Sequence, residues 1–202
     1  MPPKVSIIIL NWNGWKDTIE CLESLYQITY QNYNVILVDN GSEDESVARL
    51  KEYCEGKIKV ESEFPGYSTI NKPIRIIEYT REEAGAGDGK EDEVAELPSN
   101  RKLILIKNDK NYGFAEGNNI AMRYAFKALH SDYILLLNND TVVEKRFLDE
   151  LVKVAESDEK IGTCQSKILS IKDPKRIDAI GISINKVGGA YQIGHGEEDT
   201  GQ

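Results

Sequence analysis

The chain has 202 residues, 40% of them hydrophobic, and a formal net charge of −9. That is enough apolar content for one substantial core, and the acidic balance excludes a nucleic-acid partner, whose phosphates need a basic face. The cysteines Cys21, Cys54 and Cys164 lie far apart with no CxxC pair, so neither a zinc site nor a disulfide framework is expected and a reducing compartment is.

The run Val5, Ser6, Ile7, Ile8, Ile9, Leu10 is rich in β-branched residues, the pattern of a strand buried on both faces of a parallel sheet. It is too short to span a bilayer, and no signal-peptide pattern is expected in it. After the turn Asn11-Trp12-Asn13-Gly14, residues Trp15, Ile19, Leu22 and Tyr26 recur at helical spacing. Val35-Ile36-Leu37-Val38 repeats the buried strand and stops at Asp39-Asn40-Gly41-Ser42. Ser42 with Glu45 three residues on has capping-box spacing, opening a helix marked by Val47, Leu50 and Cys54.

Residues 56–100 interrupt this rhythm. A strand is expected at Ile74-Arg75-Ile76-Ile77, followed by an acidic, glycine-rich stretch at about 81–98 that reads as a mobile loop, because it offers little apolar surface to bury. The alternation resumes with a strand around 103–106, a glycine turn at Gly113 and a helix carrying Ala121, Tyr124, Ala125, Ala128 and Leu129 on one face. A further strand at 133–137 ends at Asn138-Asn139-Asp140, and Leu148, Leu151, Val152 and Ala155 mark another helix. Repeated strand-then-helix units predict an α/β fold with a mainly parallel sheet and helices on both faces. From Ile161 onward only short strands or turns are expected, at 168–171 and 180–184, separated by Asp173-Pro174 and Gly188-Gly189. One domain over 1–202 is expected, cut short at its C-terminus.

Ligands of open parallel sheets bind beyond the carboxyl ends of the strands, so the polar clusters there carry the chemistry. Asp39 either caps the following helix or accepts hydrogen bonds from a nucleobase or ribose. Trp12 either fills core or stacks its ring on a base. Asn138, Asn139 and Asp140 read as turn and cap residues or as oxygen ligands of a hard cation that also takes phosphate oxygens. In the stretch from Asn111 to Asn119, the glycines permit close backbone approach to a ligand, and Asn118 near a helix start is within reach of a phosphate or ribose.

Taken in order, Val5 to Gly14, Val38-Asp39-Asn40-Gly41-Ser42, Asn111 to Asn119 and Leu135 to Asp140 resemble the GT-A glycosyltransferases of family 2, in particular the rhamnosyltransferase-like branch. The resemblance implies a GT-A, Rossmann-like sheet that binds a nucleotide-diphosphate sugar. Trp12 and Asn11 would lie at the nucleotide, Asp39 would recognise the base or ribose, and Asn118, Asn138 and Asn139 would line the donor site. Asn138-Asn139-Asp140 occupies the place of the family's DXD motif, with Asp140 as the ligand of a divalent metal, Mg²⁺ or Mn²⁺, and Asn138 where an aspartate would stand. The implied reaction is metal-dependent, inverting transfer of a sugar to a glycan or lipid-linked acceptor, in polysaccharide biosynthesis. The family's general base lies beyond the last residue, so no catalytic residue is assigned. Glu197, Glu198 and Asp199 resemble the loop that precedes that segment. A cytoplasmic setting is expected, peripheral to the inner face of a membrane only through segments outside this chain. The rival readings are a non-catalytic nucleotide-sugar-binding or scaffolding domain and a sugar nucleotidyltransferase.

Overall fold

The structure is a computed structural model and describes residues 2–62, 64, 66–87 and 89–201. The chain divides into two compact units, 1–146 and 147–202.

The first unit is built on five parallel strands: β1 (Val5–Asn11), β2 (Tyr33–Asp39), β3 (Arg75–Thr80), β4 (Lys102–Lys107) and β5 (Tyr133–Asn138). Their order across the sheet is β3-β4-β2-β1-β5. Every residue of β2 is buried and β1 is nearly so, as their unbroken apolar runs require. β5 is an edge strand and is only partly covered, with Leu136 exposed.

The order dictates which helices lie on which face. α1 (Trp15–Leu25) and α2 (Ser46–Cys54) lead the chain outward from β1 to β2 and on to β3. α5 (Gly113–Lys127) carries it back across β2 and β1 to β5. Right-handed crossovers run in opposite directions place α5 on the face opposite α1 and α2. The side-chain alternation agrees: Ile8, Ile36, Val38, Ile104 and Ile106 form one buried cluster with Ile120, Ala121, Tyr124 and Ala125 of α5. The alternate residues Ile7, Ile9, Val35 and Leu37 are left for the other face.

The acidic stretch expected as a loop is two short helices, α3 (Arg81–Ala86) and α4 (Glu91–Glu96). Each contributes one small apolar anchor, Ala84 and Val94, to the α5 cluster, which is enough to seat helices otherwise solvated. α3 has a complete capping box between Thr80 and Glu83. The Ser42–Glu45 box does not form: Glu45 itself is the N-cap of α2 and makes no side-chain cap bond. A buried ion pair holds residues 66–74 to the helices behind the sheet, with Lys72 Nζ 3.0 Å from Glu23 Oε2. Tyr53 donates to the same oxygen at 2.8 Å, and the Ser68 amide donates to Oε1 at 2.7 Å.

The second unit holds α6 (Phe147–Ala155) and two antiparallel pairs, β6 (Ile168–Ser170) with β7 (Asp173–Ala179) and β8 (Ile182–Ile184) with β9 (Ala190–Gln192). Asp173-Pro174, expected as a break, begins β7, because proline is tolerated at the start of an edge strand. No helix among the described residues is long and apolar enough to cross a membrane.

Candidate functional site

The parallel register sets the rim of the sheet residue by residue. Asn11 lies beside Asp39, Asp39 beside Lys107, and Lys107 beside Thr80, while Asn138 lies beside Leu10 on the other flank of β1. The chain leaves β1 toward β2 and later returns to β5, so the ends of β2, β1 and β5 frame the crevice in which open α/β sheets bind ligands.

Asp39 is buried, yet its side chain is turned into the loop and caps no helix. Its Oδ1 accepts from Asn11 Nδ2 at 2.9 Å and from Ser42 Oγ at 2.6 Å, and Oδ2 accepts from the Ser42 amide at 3.1 Å. Ser42 Oγ in turn accepts from Asn11 Nδ2 and from the Asn13 amide, at 3.1 and 3.0 Å. Asn13, at φ +52°, accepts the Glu43 amide on Oδ1 at 2.9 Å. The two loops therefore hold each other, and Asn11, fully buried, fixes the carboxylate beside it. Trp12 projects outward, 55% exposed, as expected of a rim aromatic.

Asn40 fixes the next loop. Its Oδ1 accepts from Asn108 Nδ2 at 3.0 Å and from the Tyr112 amide at 3.1 Å, and its Nδ2 donates to Asn111 Oδ1 at 2.8 Å. Gly41, at φ +72°, passes so close that a Cβ would lie 2.5 Å from the Lys110 backbone, a position only glycine can take. These bonds set the start of α5. Asn118, in the second turn of α5 and not at its first residue, is buried and donates Nδ2 to the Phe114 carbonyl at 2.9 Å.

A cavity of about 250 Å³ opens beside this helix, lined by Leu10, Phe114, Asn118, Asn138, Asn139 and Asp140 among others. Asn138 and Asp140 are exposed at its mouth. Asn139 is turned inward and donates Nδ2 to Thr18 Oγ1 at 3.1 Å. Beneath it, burial pushes the Cys21 thiol up to about 12, with the Asp140 charge adding to the shift, so the thiol is inert here. The cavity thus brings together Asn118, Asn138, Asn139 and Asp140, while Asn11 and Asp39 lie across the end of β1. Thr18 and Asn40 were missed in the sequence. Asn40 sits within a motif already singled out, whereas Thr18 reads as an ordinary helix residue.

In the acidic cluster of the second unit, one carboxylate has a clear partner. Asp199 pairs with Lys167 at 2.7 Å, and that contact holds its carboxyl below the usual range. His195 Nδ1 lies 3.0 Å from the Asp178 carbonyl and is exposed.

A sequence model described as "Glycosyl transferase family 2" matches residues 6–68 and 85–187, leaving out β3 and the start of α3. The chain is 41% identical over 165 residues to "Glycosyltransferase GlyG" of Streptococcus pneumoniae serotype 4, covering 80% of this chain and 39% of that protein. It is 28% identical over 94 residues to "Low-salt glycan biosynthesis hexosyltransferase Agl10" of Haloferax volcanii, covering 46% of this chain and 28% of that protein. The chain therefore spans well under half the length of these curated relatives. Among solved structures, the mannosyltransferase PcManGT from Pyrobaculum calidifontis, in complex with GDP-Man and Mn²⁺, superposes with a TM-score of 0.53 at 17% identity, over 86% of this chain and 37% of that one. That likeness is one of fold.

Proposed function

The chain belongs to glycosyl transferase family 2 and has a GT-A fold, and from that premise we propose that it binds a nucleotide-diphosphate sugar across the end of β1. The protein would transfer the sugar, with inversion, to a hydroxyl of a glycan or lipid-linked acceptor. The observation that best supports this is the placement of two carboxylates on the flanks of one strand: Asp39 anchored at the end of β2 and Asp140 exposed just past β5.

In this reading Trp12 offers its exposed ring to the base, and Asp39, which Asn11 orients, takes a base nitrogen or a ribose hydroxyl through what its carboxylate oxygens have left to accept. Asn118, Asn138 and Asn139 line the space for the diphosphate and sugar. In the transfer the acceptor oxygen forms its bond to the anomeric carbon on the side opposite the diphosphate, and the bond to the diphosphate breaks. The acceptor hydroxyl would give its proton to a general base, a role for which no residue of this chain is assigned, and the nucleoside diphosphate would leave with the bonding electrons.

Mg²⁺ or Mn²⁺ suits the donor set at Asp140. One exposed carboxylate, with Asn138 in the same cavity lining, would leave most of the shell to water and phosphate oxygens, which such ions accept. Among the described residues no three acidic, histidine or cysteine side chains converge, so water and the diphosphate would supply the rest of the coordination. When bound, the ion would neutralise charge on the departing diphosphate. GDP-Man and Mn²⁺ in the mannosyltransferase of like fold support a nucleotide sugar and a divalent ion here. Three free cysteines fit a cytoplasmic setting.

Calorimetric titration with uridine, thymidine and guanosine diphosphates, each in Mn²⁺ and in chelator, tests the reading. Metal-strengthened binding of one nucleotide is expected, and no binding of any of them would overturn it.

A further inference from the structure

We propose that Thr18 is a positioning residue for the donor site, joining the loop that carries Asp140 to the strand end that carries Asp39. This rests on the donor-binding reading above.

Thr18 is fully buried on α1 and does not line the cavity. Its hydroxyl donates to Asn11 Oδ1 at 2.9 Å, with the Gly14 carbonyl an equally near acceptor, and it accepts from Asn139 Nδ2 at 3.1 Å. Asn11 passes the connection to Asp39 through its Nδ2. An unbroken chain of side-chain hydrogen bonds therefore runs from Asp39 through Asn11 and Thr18 to Asn139, across residues drawn from four separate segments. The turn before α1 leaves room for it: a Cβ on Gly14 would lie 2.9 Å from Asn139 Nδ2, so a larger residue there would displace the Asn139 side-chain amide.

The two ends of this chain are held unequally. Asp39 keeps three donors without Thr18: Asn11 Nδ2, Ser42 Oγ and the Ser42 amide. Among the described residues, Asn139 Nδ2 keeps only the Gly14 carbonyl, at 3.5 Å. Loss of the hydroxyl should therefore loosen the Asp140 side and spare the Asp39 side. Partners that orient a metal-binding group in this way commonly change metal affinity about 10-fold or more when removed.

Thr18→Val keeps the shape of the side chain and removes the hydroxyl, and Thr18→Ser keeps the hydroxyl. The nucleoside diphosphate bound by the wild-type chain is titrated into each variant, with Mn²⁺ and with chelator. In Thr18→Val the Mn²⁺ concentration needed for tight binding should rise about 10-fold while the affinity in chelator holds, and Thr18→Ser should restore the wild-type Mn²⁺ dependence. Without nucleotide or metal, hydrogen exchange across residues 138–141 should quicken in Thr18→Val. Asn139→Ala reaches the same bond from a half-exposed position, so it should reproduce the Mn²⁺ shift even if Thr18→Val fails to fold, and the double variant should add little to either single one. Wild-type Mn²⁺ dependence in Thr18→Val and Asn139→Ala, or equal losses with metal and in chelator in Thr18→Val, would overturn the proposal alone. Failure of the wild-type chain to bind any nucleotide would overturn the donor reading and this inference with it.

Discussion

Asn11 donates its side-chain amide to Asp39 Oδ1 at 2.9 Å, a buried bond between the last residues of two neighbouring parallel strands. The bond gives Asp39 a fixed aim at the rim, so in the proposed donor site the carboxylate would be structural as well as recognitive. Asp39→Ala should therefore do two things. Nucleotide affinity should fall about 10-fold or more, the worth of one hydrogen bond to a charged group. The fold should also lose about 1–3 kcal/mol, because Asn11 Nδ2, Ser42 Oγ and the Ser42 amide each lose a bond to the carboxylate. Calorimetry and chemical denaturation separate the two, and a stability loss with unchanged affinity would reduce Asp39 to a loop anchor.

Asp140 is different in kind, an exposed carboxylate whose removal should leave stability almost unchanged. Asp140→Ala should bind nucleotide equally in Mn²⁺ and in chelator, losing the metal-dependent gain. The check is the ratio of the two affinities by titration, and a wild-type ratio in the variant would refute the assignment of the metal to this loop.

The strands and the rim motifs were legible because parallel strands buried on both faces leave unbroken apolar runs, and those runs end where polar residues begin. Val35 to Val38 followed by Asp39 is such a case. The helices α3 and α4 were not legible. Their burial rests on the single residues Ala84 and Val94, too few for a periodic stripe, and their acidic, glycine-rich composition resembles that of a solvated loop. Thr80 and Glu83 did carry the capping-box spacing that opens α3. Ser42 and Glu45 carry the same spacing without the box, because Ser42 is drawn to Asp39, so tertiary partners decide which local signal is used. Of the residues singled out in the sequence, Asn118, Asn138, Asn139 and Asp140 line one cavity, while Thr18, bonded to Asn139 from beneath, was overlooked.

The Glu23–Lys72 pair gives a prediction about stability alone. The Glu23 side chain is wholly buried and that of Lys72 6% exposed, and Lys72 Nζ also lies 4.1 Å from the centre of the Tyr53 ring. Lys72→Met leaves a buried carboxylate without its cation, a loss of about 3–5 kcal/mol. Glu23→Gln combined with Lys72→Met removes both charges and should recover a large part of that loss. Urea denaturation of the single and double variants makes the comparison, and a double variant less stable than Lys72→Met would contradict it.

Lys102 predicts a pH dependence. Its side chain is buried at the start of β4 and donates to the Val94 carbonyl at 2.6 Å, and burial pushes its ammonium down from 10.5 to about 8, with Lys4 adding to the shift. Between these values the folded chain has released the proton while the unfolded chain still holds it. The unfolded state thus binds more protons, and this group's contribution to stability rises with pH through the window, by at most about 1.4 kcal/mol per pH unit. Below pH 8 both states are charged and the contribution is flat. Cys21 and Cys54 work against it: burial raises both thiols from 9.0 to about 12, so their contribution is lost as pH climbs above 9. The difference between wild type and Lys102→Met cancels the cysteines and isolates the lysine. Denaturation at a series of pH values from 7 to 10 should show wild type gaining on the variant only above about pH 8, and a difference independent of pH would show that Lys102 stays charged in the fold.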